Sequence, residues 1–178
     1  MEDAFVATRL EDGNQLFVVF DGHGGAAVAA FCERFFAQLW AEEWSLKGEG
    51  QNIEEFIAHF LPSFDEKMQE YIKANYGSGG QIHYPGATAT GVFINDESVF
   101  VFNVGDSRTI LFNQEKLHFA TADHKPDDPC ERERIESNKF CYVSSRFFDV
   151  PRVNGQLGDL ESISRELTEV DSFIARPW

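Results

Sequence analysis

The sequence predicts an α+β layered domain in which antiparallel strands are backed by two helices. Three observations support this fold class: a short apolar run typical of a strand at residues 15–20, two long segments with helical periodicity, and four further strand-like runs in quick succession after residue 86. The strands are rich in apolar residues on both faces, which predicts that the sheet packs against a second sheet. The 178 residues are enough for one domain with its own core.

The first strand and two helices follow one another along the chain. The strand Gln15–Phe20 comes after turn residues 11–14, as in a hairpin, and ends at the segment Asp21-Gly-His-Gly-Gly25. Asn52 is the predicted N-cap of the second helix, with Glu55 three residues later, and Pro62 predicts a restart or kink within it. The first helix is predicted from apolar residues at three- and four-residue steps: Val28, Phe31, Cys32, Phe35 and Leu39.

The strand-like runs follow a glycine-rich loop at residues 77–80. They span residues 87–94, 99–104, 109–112 and 117–121, and hairpin turns are predicted at 95–97 and 113–115. A short charged helix is predicted over residues 130–137, and no strong period appears after residue 139. We therefore predict one domain over residues 1–178 that ends in an irregular tail at 160–178.

Composition excludes several functions. Thirty acidic residues against fifteen basic ones give a net charge of −15, and no cluster of Lys and Arg predicts nucleic-acid binding. No apolar run is long enough to predict a membrane span. Three cysteines without CxxC spacing predict reduced thiols and a cytoplasmic or nuclear protein. Eighteen phenylalanines exceed the needs of one core, so some are expected to face a partner or a further segment.

Asp21 is the leading candidate for chemistry because it lies where a strand gives way to a glycine-rich turn. Mg²⁺ and Mn²⁺ prefer carboxylate, carbonyl and water oxygens, which Asp21 and the carbonyl of Gly22 can supply. By itself, a turn of this kind more often holds an aspartate that only caps the following helix. Two adjacent acids before the first strand, Glu2 and Asp3, extend the acidic cluster.

Several further motifs occur in a defined order. Together they resemble the PP2C (PPM-type) family of metal-dependent protein serine/threonine phosphatases, and the resemblance is strongest over residues 1–159. The motifs are Met1-Glu-Asp, Phe20-Asp-Gly-His-Gly-Gly, Gly86-Ala-Thr-Ala, Asn103-Val-Gly-Asp-Ser-Arg, Asp123-His-Lys-Pro, Glu133-Arg-Ile and Arg152-Val-Asn-Gly-Gln-Leu.

The resemblance implies an α-β-β-α sandwich of antiparallel sheets with two Mn²⁺ or Mg²⁺ ions at one edge, and phosphoproteins as substrates. Asp21 would bridge both ions, Glu2 and the Gly22 carbonyl would hold one of them, and Asp3 would orient a metal-bound water. A water bridging the ions would be the nucleophile, and His23 would be the general acid. Asp106 matches a carboxylate that helps to hold a weaker third metal.

The sequence also departs from the family pattern. An earlier phosphate-binding Arg has no counterpart, which leaves the phosphate-binding group unknown, and later motifs that supply two more metal-binding carboxylates are absent. These departures predict a domain truncated at both ends and incomplete at its C-terminal side, with one incomplete metal site and weak activity. They also predict self-association or a partner segment that completes the fold.

Two other functions stay open. The first is a catalytically inactive PP2C-like pseudophosphatase that binds phosphoproteins or kinases. The second is an ester hydrolase using Ser107, since Gly105-Asp-Ser resembles a GDS nucleophile, although the chain lacks a Gly-x-Ser-x-Gly elbow.

Overall fold

The computed structural model describes residues 2–47, 52–76, 85–114, 116–125, 128–129, 132–133 and 137, and the backbone of residues 141–145 and 151–155. Two helices and ten strands occur in this part of the chain. In order they are β1 (Ala4–Arg9), β2 (Gln15–Phe20), β3 (Gly22–His23), α1 (Ala27–Lys47), α2 (Ile53–Tyr76), β4 (Gly86–Ala87), β5 (Ala89–Ile94), β6 (Val99–Val104), β7 (Ile110–Asn113), β8 (Lys116–Ala120), β9 (Cys141–Ser145) and β10 (Pro151–Gly155).

A four-stranded antiparallel sheet with the order β1-β2-β5-β6 organises the fold. Side chains alternate across each strand, so one face of this sheet carries residues such as Leu16, Val18 and Phe93, which are fully or almost fully buried. Both helices pack on that face. The remaining strands form three two-stranded pairs: β3 with β4, β7 with β8, and β9 with β10. The predicted α+β layers are confirmed.

Aromatic side chains form the centre of the core between helices and sheet. Trp40 of α1 is completely buried, and its ring centroid lies 4.9 Å from that of Phe56 and 5.0 Å from that of Phe60, both on α2. Its other neighbours are sheet residues, Phe93 at 5.6 Å and Phe102 at 5.8 Å. Offset and edge-to-face pairs of this kind add about 0.5–1.5 kcal/mol each to simple burial. Much of the high phenylalanine content is therefore used in one core.

The opposite face of the sheet is also apolar but stays open in the described part of the chain. Phe5 is 64% exposed, and Val19, which pairs with it on β2, and Phe17 on the same face are at least one-third exposed. The β7–β8 hairpin likewise exposes Phe112 and Phe119. The expectation that some phenylalanines lie outside the core is confirmed for these residues.

The second helix, α2, begins at the predicted N-cap but continues through Pro62, where a restart or kink was predicted. The Asn52 side chain accepts hydrogen bonds from the backbone N–H groups of Glu54 (2.8 Å) and Glu55 (3.3 Å), so it is the N-cap of α2 as predicted. Pro62 lies inside α2, which continues through it to Tyr76, so the helix does not restart there. Among the described residues, neither helix is apolar over enough of its length to cross a bilayer.

The predicted strands are recovered with three corrections. Residues 87–94 form two strands, β4 and β5, because Thr88 leaves the sheet and bonds to another part of the chain. β7 and β8 each lie one residue from the predicted bounds, in opposite directions. β9 and β10, which pair antiparallel, were not predicted, since the region after residue 139 shows no clear alternation. The predicted loop at 77–80, most of the 130–137 helix and the 160–178 tail lie outside the described residues.

Candidate active site at one edge of the sheet

The antiparallel strand order brings four strand ends to the same edge of the sheet. β1 begins at Ala4 and β2 ends at Phe20, and these two residues are paired. β5 begins at Ala89 and β6 ends at Val104, and these are paired as well. Short segments next to each of these ends must therefore lie side by side, although they are up to about 100 positions apart in sequence. These segments contain every candidate residue from the sequence.

The acids Asp3 and Asp21 face each other across the first strand pair. Extending the register by one residue beyond Ala4 and Phe20 places Asp3 opposite Asp21, and one further step places Glu2 opposite Gly22. Opposed residues of an antiparallel pair have Cα atoms only about 4.5–5.5 Å apart. All three acids are exposed to solvent. The strand pairing therefore brings together the chain segments that carry the predicted metal ligands Glu2, Asp21 and Gly22 and the predicted water-orienting Asp3.

Gly22 allows this close approach because it has no side chain. A Cβ atom at position 22 would overlap the backbone carbonyl oxygen of Glu2 and would lie 3.2 Å from the Cβ of Ala29. The backbone at Gly22 is thus packed between the start of β1 and the first turns of α1. Any other residue here would push Glu2 away from Asp21.

His23 follows on the short strand β3. Gly22 pairs with Ala87 and His23 pairs with Gly86, so two hydrogen-bonded residues hold the imidazole-bearing backbone at the same edge as Asp21. Gly24 and Gly25 have φ values of 71° and 122°, which side-chain-bearing residues rarely adopt, and they turn the chain into α1. The His23 side chain is exposed, as a group that exchanges protons with a substrate must be.

Thr88 fixes the backbone of Asp21 from the other side. The Thr88 N–H donates to the Asp21 carbonyl (2.9 Å), and the Asp21 N–H donates to the Thr88 hydroxyl (3.3 Å). Thr88 is buried, and its hydroxyl also lies 2.6 Å from the Ser107 hydroxyl. No role was predicted for Thr88, although it lies within the motif Gly86-Ala-Thr-Ala. The motif marks the residue, but its contact with Asp21, 67 positions away, is visible only in the fold.

Asp106 lies on the turn that follows β6. Gly105 has a φ of 91°, and a Cβ on it would lie 2.7 Å from the Thr88 side chain, so this turn packs directly on Thr88. His124 braces this turn: its backbone N–H donates to the Gly105 carbonyl (2.9 Å), and its Nδ1 accepts from the Gly105 N–H (3.4 Å). β6 is two strands from β2 in the sheet order, and the turn that carries Asp106 packs on Thr88, the residue that hydrogen-bonds to the Asp21 backbone.

Arg108 forms an ion pair with Asp123. Its guanidinium donates to Asp123 through Nε and Nη2, each at 2.8 Å, and not to Asp106. Lys125 also contacts Asp123, at 3.2 Å. The hydrogen bond from Arg108 is the main reason that the pKa of Asp123 lies below its usual value. Asp106 is exposed and has a carboxylate that this ion-pair cluster does not use.

The donor chemistry of the edge fits a hard divalent cation. Glu2, Asp3 and Asp21 carry carboxylate oxygens, and Gly22 has a backbone carbonyl oxygen, which are ligands that such a cation prefers. A side chain at position 22 would overlap the Glu2 carbonyl. Two like charges placed opposite each other on paired strands destabilise the pair, and a bound cation would remove that cost. Within the described residues, however, no three His, Cys, Asp or Glu side chains already converge at metal-binding distance. The edge therefore supplies part of a coordination shell.

Comparison with known proteins gives one consistent family. The family model for protein phosphatase 2C matches residues 1–174. Human protein phosphatase 1A is 32% identical over 180 residues, which cover 96% of this chain and 44% of that protein. The Arabidopsis thaliana probable protein phosphatase 2C 17 is 35% identical over 160 residues, covering 88% of this chain and 53% of that protein. The chain thus spans about half the length of these curated relatives.

Solved structures show the same fold at lower identity. A Caenorhabditis elegans sex-determining protein superposes with a TM-score of 0.75 at 23% identity, over 90% of this chain and 41% of that one. The serine-threonine phosphatase 2C of Toxoplasma gondii superposes with a TM-score of 0.64 at 19% identity, over 93% of this chain and 58% of that one. At these identities the likeness establishes the fold alone.

Proposed function

The chain belongs to the protein phosphatase 2C family, and from this premise we propose that it dephosphorylates phosphoserine and phosphothreonine in proteins, using Mn²⁺ or Mg²⁺ at the edge formed by Glu2, Asp3 and Asp21. The observation that carries the proposal is the close approach of Gly22 to the Glu2 carbonyl, next to the paired strand ends Ala4 and Phe20, which brings the segment of Glu2 and Asp3 beside Asp21. His23, on the adjacent short strand, is the proposed general acid.

Electrostatics explains why this edge needs cations to handle a phosphate group. A phosphoryl group at neutral pH is a dianion, and it would meet exposed carboxylates on a chain whose net charge is −15. Divalent cations held there would reverse the local charge, offset the negative charge of the phosphoryl oxygens and lower the pKa of water. Glu2, Asp21 and the Gly22 carbonyl would hold them, Asp3 would orient a metal-bound water, and Asp106 lies at the turn after β6.

His23 would supply the proton that the leaving group needs. In the proposed hydrolysis, water adds to phosphorus, the bond from phosphorus to the serine or threonine oxygen breaks, and its electron pair stays on that oxygen. The His23 imidazolium donates its N–H proton to the oxygen, so that a neutral hydroxyl leaves. Proton transfer of this kind contributes about 10²–10⁴-fold to rate. The backbone pairing of His23 with Gly86 keeps the imidazole at the edge.

A phosphoprotein-binding module without catalysis is the second candidate. The observation that favours it is that no three metal-binding side chains converge among the described residues. Such a module would keep the fold and the contact surface around Asp21 while turning over no substrate.

The decisive experiment measures hydrolysis of a phosphothreonine peptide with and without Mn²⁺. Asp21→Asn removes the carboxylate with little change of shape, and we expect turnover to fall by more than the roughly 10–100-fold that the loss of a supporting residue costs at a metal site. Asp96→Asn is the matched control, because Asp96 is an exposed acid in the β5–β6 turn at the opposite end of the sheet.

Calorimetric titration with Mn²⁺ separates the two candidates. Binding that is lost in the Asp21 variant, together with metal-dependent turnover, supports the phosphatase. Metal binding and peptide binding without turnover support the module. Turnover that needs no metal, or that survives Asp21→Asn, contradicts the proposed mechanism.

A further inference from the structure

A recess lies directly beside the proposed general acid. It is a cavity of about 490 Å³ between the turn after His23, the first turns of α1 and the last turns of α2. Gly24, Gly25 and Ala30 line one side, and Ile72 and Tyr76 line the other. The volume falls in the range of small-ligand pockets, about 300–1,000 Å³.

The lining selects an apolar occupant. Among the described residues, none that lines the recess carries a charge, although the chain has 30 acidic residues among its 178. The turn adds to the open volume, because a Cβ on Gly25 would meet no atom within 4 Å. The lining combines small residues of the turn and α1, such as Gly25 and Ala30, with the larger Ile72 and Tyr76 of α2. An aliphatic side chain bound there would displace water and make apolar contacts.

Gly24 and Gly25, the two residues after His23, line the recess. Their distance from His23 determines which substrate residues can reach it. Consecutive Cα atoms are about 3.8 Å apart, so Gly24 and Gly25 lie within one and two such steps of His23. In a bound peptide, the Cα atoms one and two positions from the phosphorylated residue are likewise at most about 3.8 and 7 Å from the Cα of that residue. The side chains at these positions are therefore in range of the recess while the phosphate is at the Asp21 edge.

We propose that this recess binds an aliphatic side chain, of about the size of leucine, located one or two residues from the phosphorylated serine or threonine of the substrate. The inference rests on the phosphatase function proposed above and extends it to substrate selection. The slot between Ala30 and Tyr76 would make the protein prefer phosphosites flanked by a branched aliphatic residue over sites flanked by alanine. The preference comes from apolar contact, so peptide charge does not alter it.

The test compares phosphothreonine peptides of equal length and charge that carry leucine or alanine at each flanking position within two residues. Methylene groups in an apolar pocket change selectivity by about 10-fold or more, so we expect at least one leucine peptide to exceed its alanine partner about 10-fold in kcat/KM. Ala30→Leu fills the recess from a helical position that accepts leucine well, and it should bring the ratio close to one.

Ala74→Leu is the matched control. Ala74 is an exposed alanine on α2, and it points about 200° around the helix from both Ile72 and Tyr76. This variant should keep the leucine preference of the parent protein. Equal kcat/KM values for leucine and alanine peptides in the parent, or an unchanged preference in Ala30→Leu, would overturn the proposal.

Two further measurements keep this proposal separate from the catalytic one. Mn²⁺-dependent hydrolysis of p-nitrophenyl phosphate, which has no flanking residue, reports the phosphatase function alone. If that activity is absent, fluorescence anisotropy of the labelled peptides still gives the leucine-to-alanine affinity ratio. A ratio of about 10 that falls to one in Ala30→Leu then supports the recess, and a ratio of one in the parent rejects it.

Discussion

Replacing Asp65 by asparagine should stabilise this protein, and more so at higher pH. Asp65 is only 7% exposed and lies on the buried face of α2, near the thiol of Cys32. Its carboxylate accepts a hydrogen bond of 2.8 Å from the Gln69 side chain. Burial outweighs this bond and raises the pKa of Asp65 from its ordinary 3.8 to about 6. At neutral pH the fold therefore holds a charged carboxylate in a place that favours the neutral form.

The size and sign of the effect follow from linkage. Between pH 3.8 and about 6 the native state binds a proton at Asp65 that the unfolded chain has already lost. Stability therefore decreases as pH rises through this window and is constant above it. The gap of about two pH units corresponds to about 3 kcal/mol. Asparagine keeps an oxygen that accepts the Gln69 hydrogen bond and carries no charge, so Asp65→Asn should recover most of that amount.

Urea unfolding at two pH values tests the reasoning. We expect Asp65→Asn to raise the free energy of unfolding by about 3 kcal/mol near pH 7.5 and by about half as much near pH 5. Glu70→Gln is the matched control, since Glu70 is an exposed acid on the same helix, and its effect should stay within about 0.5 kcal/mol. A gain that is equal at both pH values, or a loss of stability near pH 7.5, would show that the buried charge is not what the substitution relieves.

Three other predictions follow from the described contacts. Gly22→Ala should lower the free energy of unfolding by about 1–3 kcal/mol in a thermal melt and weaken Mn²⁺ binding, because its Cβ would overlap the Glu2 carbonyl. Thr88→Val should cost about 1–3 kcal/mol and speed hydrogen exchange of the Asp21 amide, whose acceptor it removes, whereas Thr88→Ser should not. Cys32 is buried and its pKa is raised to about 12, so iodoacetamide should label it only after unfolding, as followed by peptide mass spectrometry.

Elements set by local interactions were predictable from the sequence. The N-cap at Asn52 needs only two neighbouring amides, and the turn after β5 needs only the Asn95 side chain, which accepts from the N–H groups of Glu97 (3.0 Å) and Ser98 (2.7 Å). Both contacts close within three residues, so the residue types that make them are visible in a short window. The strand Gln15–Phe20 was equally clear, because its composition and its bounding turns are local.

The buried face of α1 could not be chosen from periodicity. The predicted stripe ran through Phe35 and Leu39, yet the structure leaves these half-buried and places Phe36 and Trp40 at the centre of the core. Both pairs are apolar and four residues apart, so each satisfies helical spacing. What decides between them is the position of the sheet and of α2, since Trp40 packs against Phe56 from one side and Phe93 from the other.

In the candidate site, too, the sequence identified the residues of interest, and only the fold shows which of them lie close together. Sequence motifs named Asp3, Asp21 and Asp106 as acids of interest, and the antiparallel order of the sheet decides what they can do together. It places Asp3 and Asp21 next to the paired strand ends Ala4 and Phe20, and it places Asp106 after β6, two strands from β2 and three from β1. Only the first pair therefore pays a cost of opposed like charge that a shared cation can remove. Thr88 holds Asp21 in that position through two hydrogen bonds across 67 residues, so the backbone of the acid is fixed before any ligand arrives.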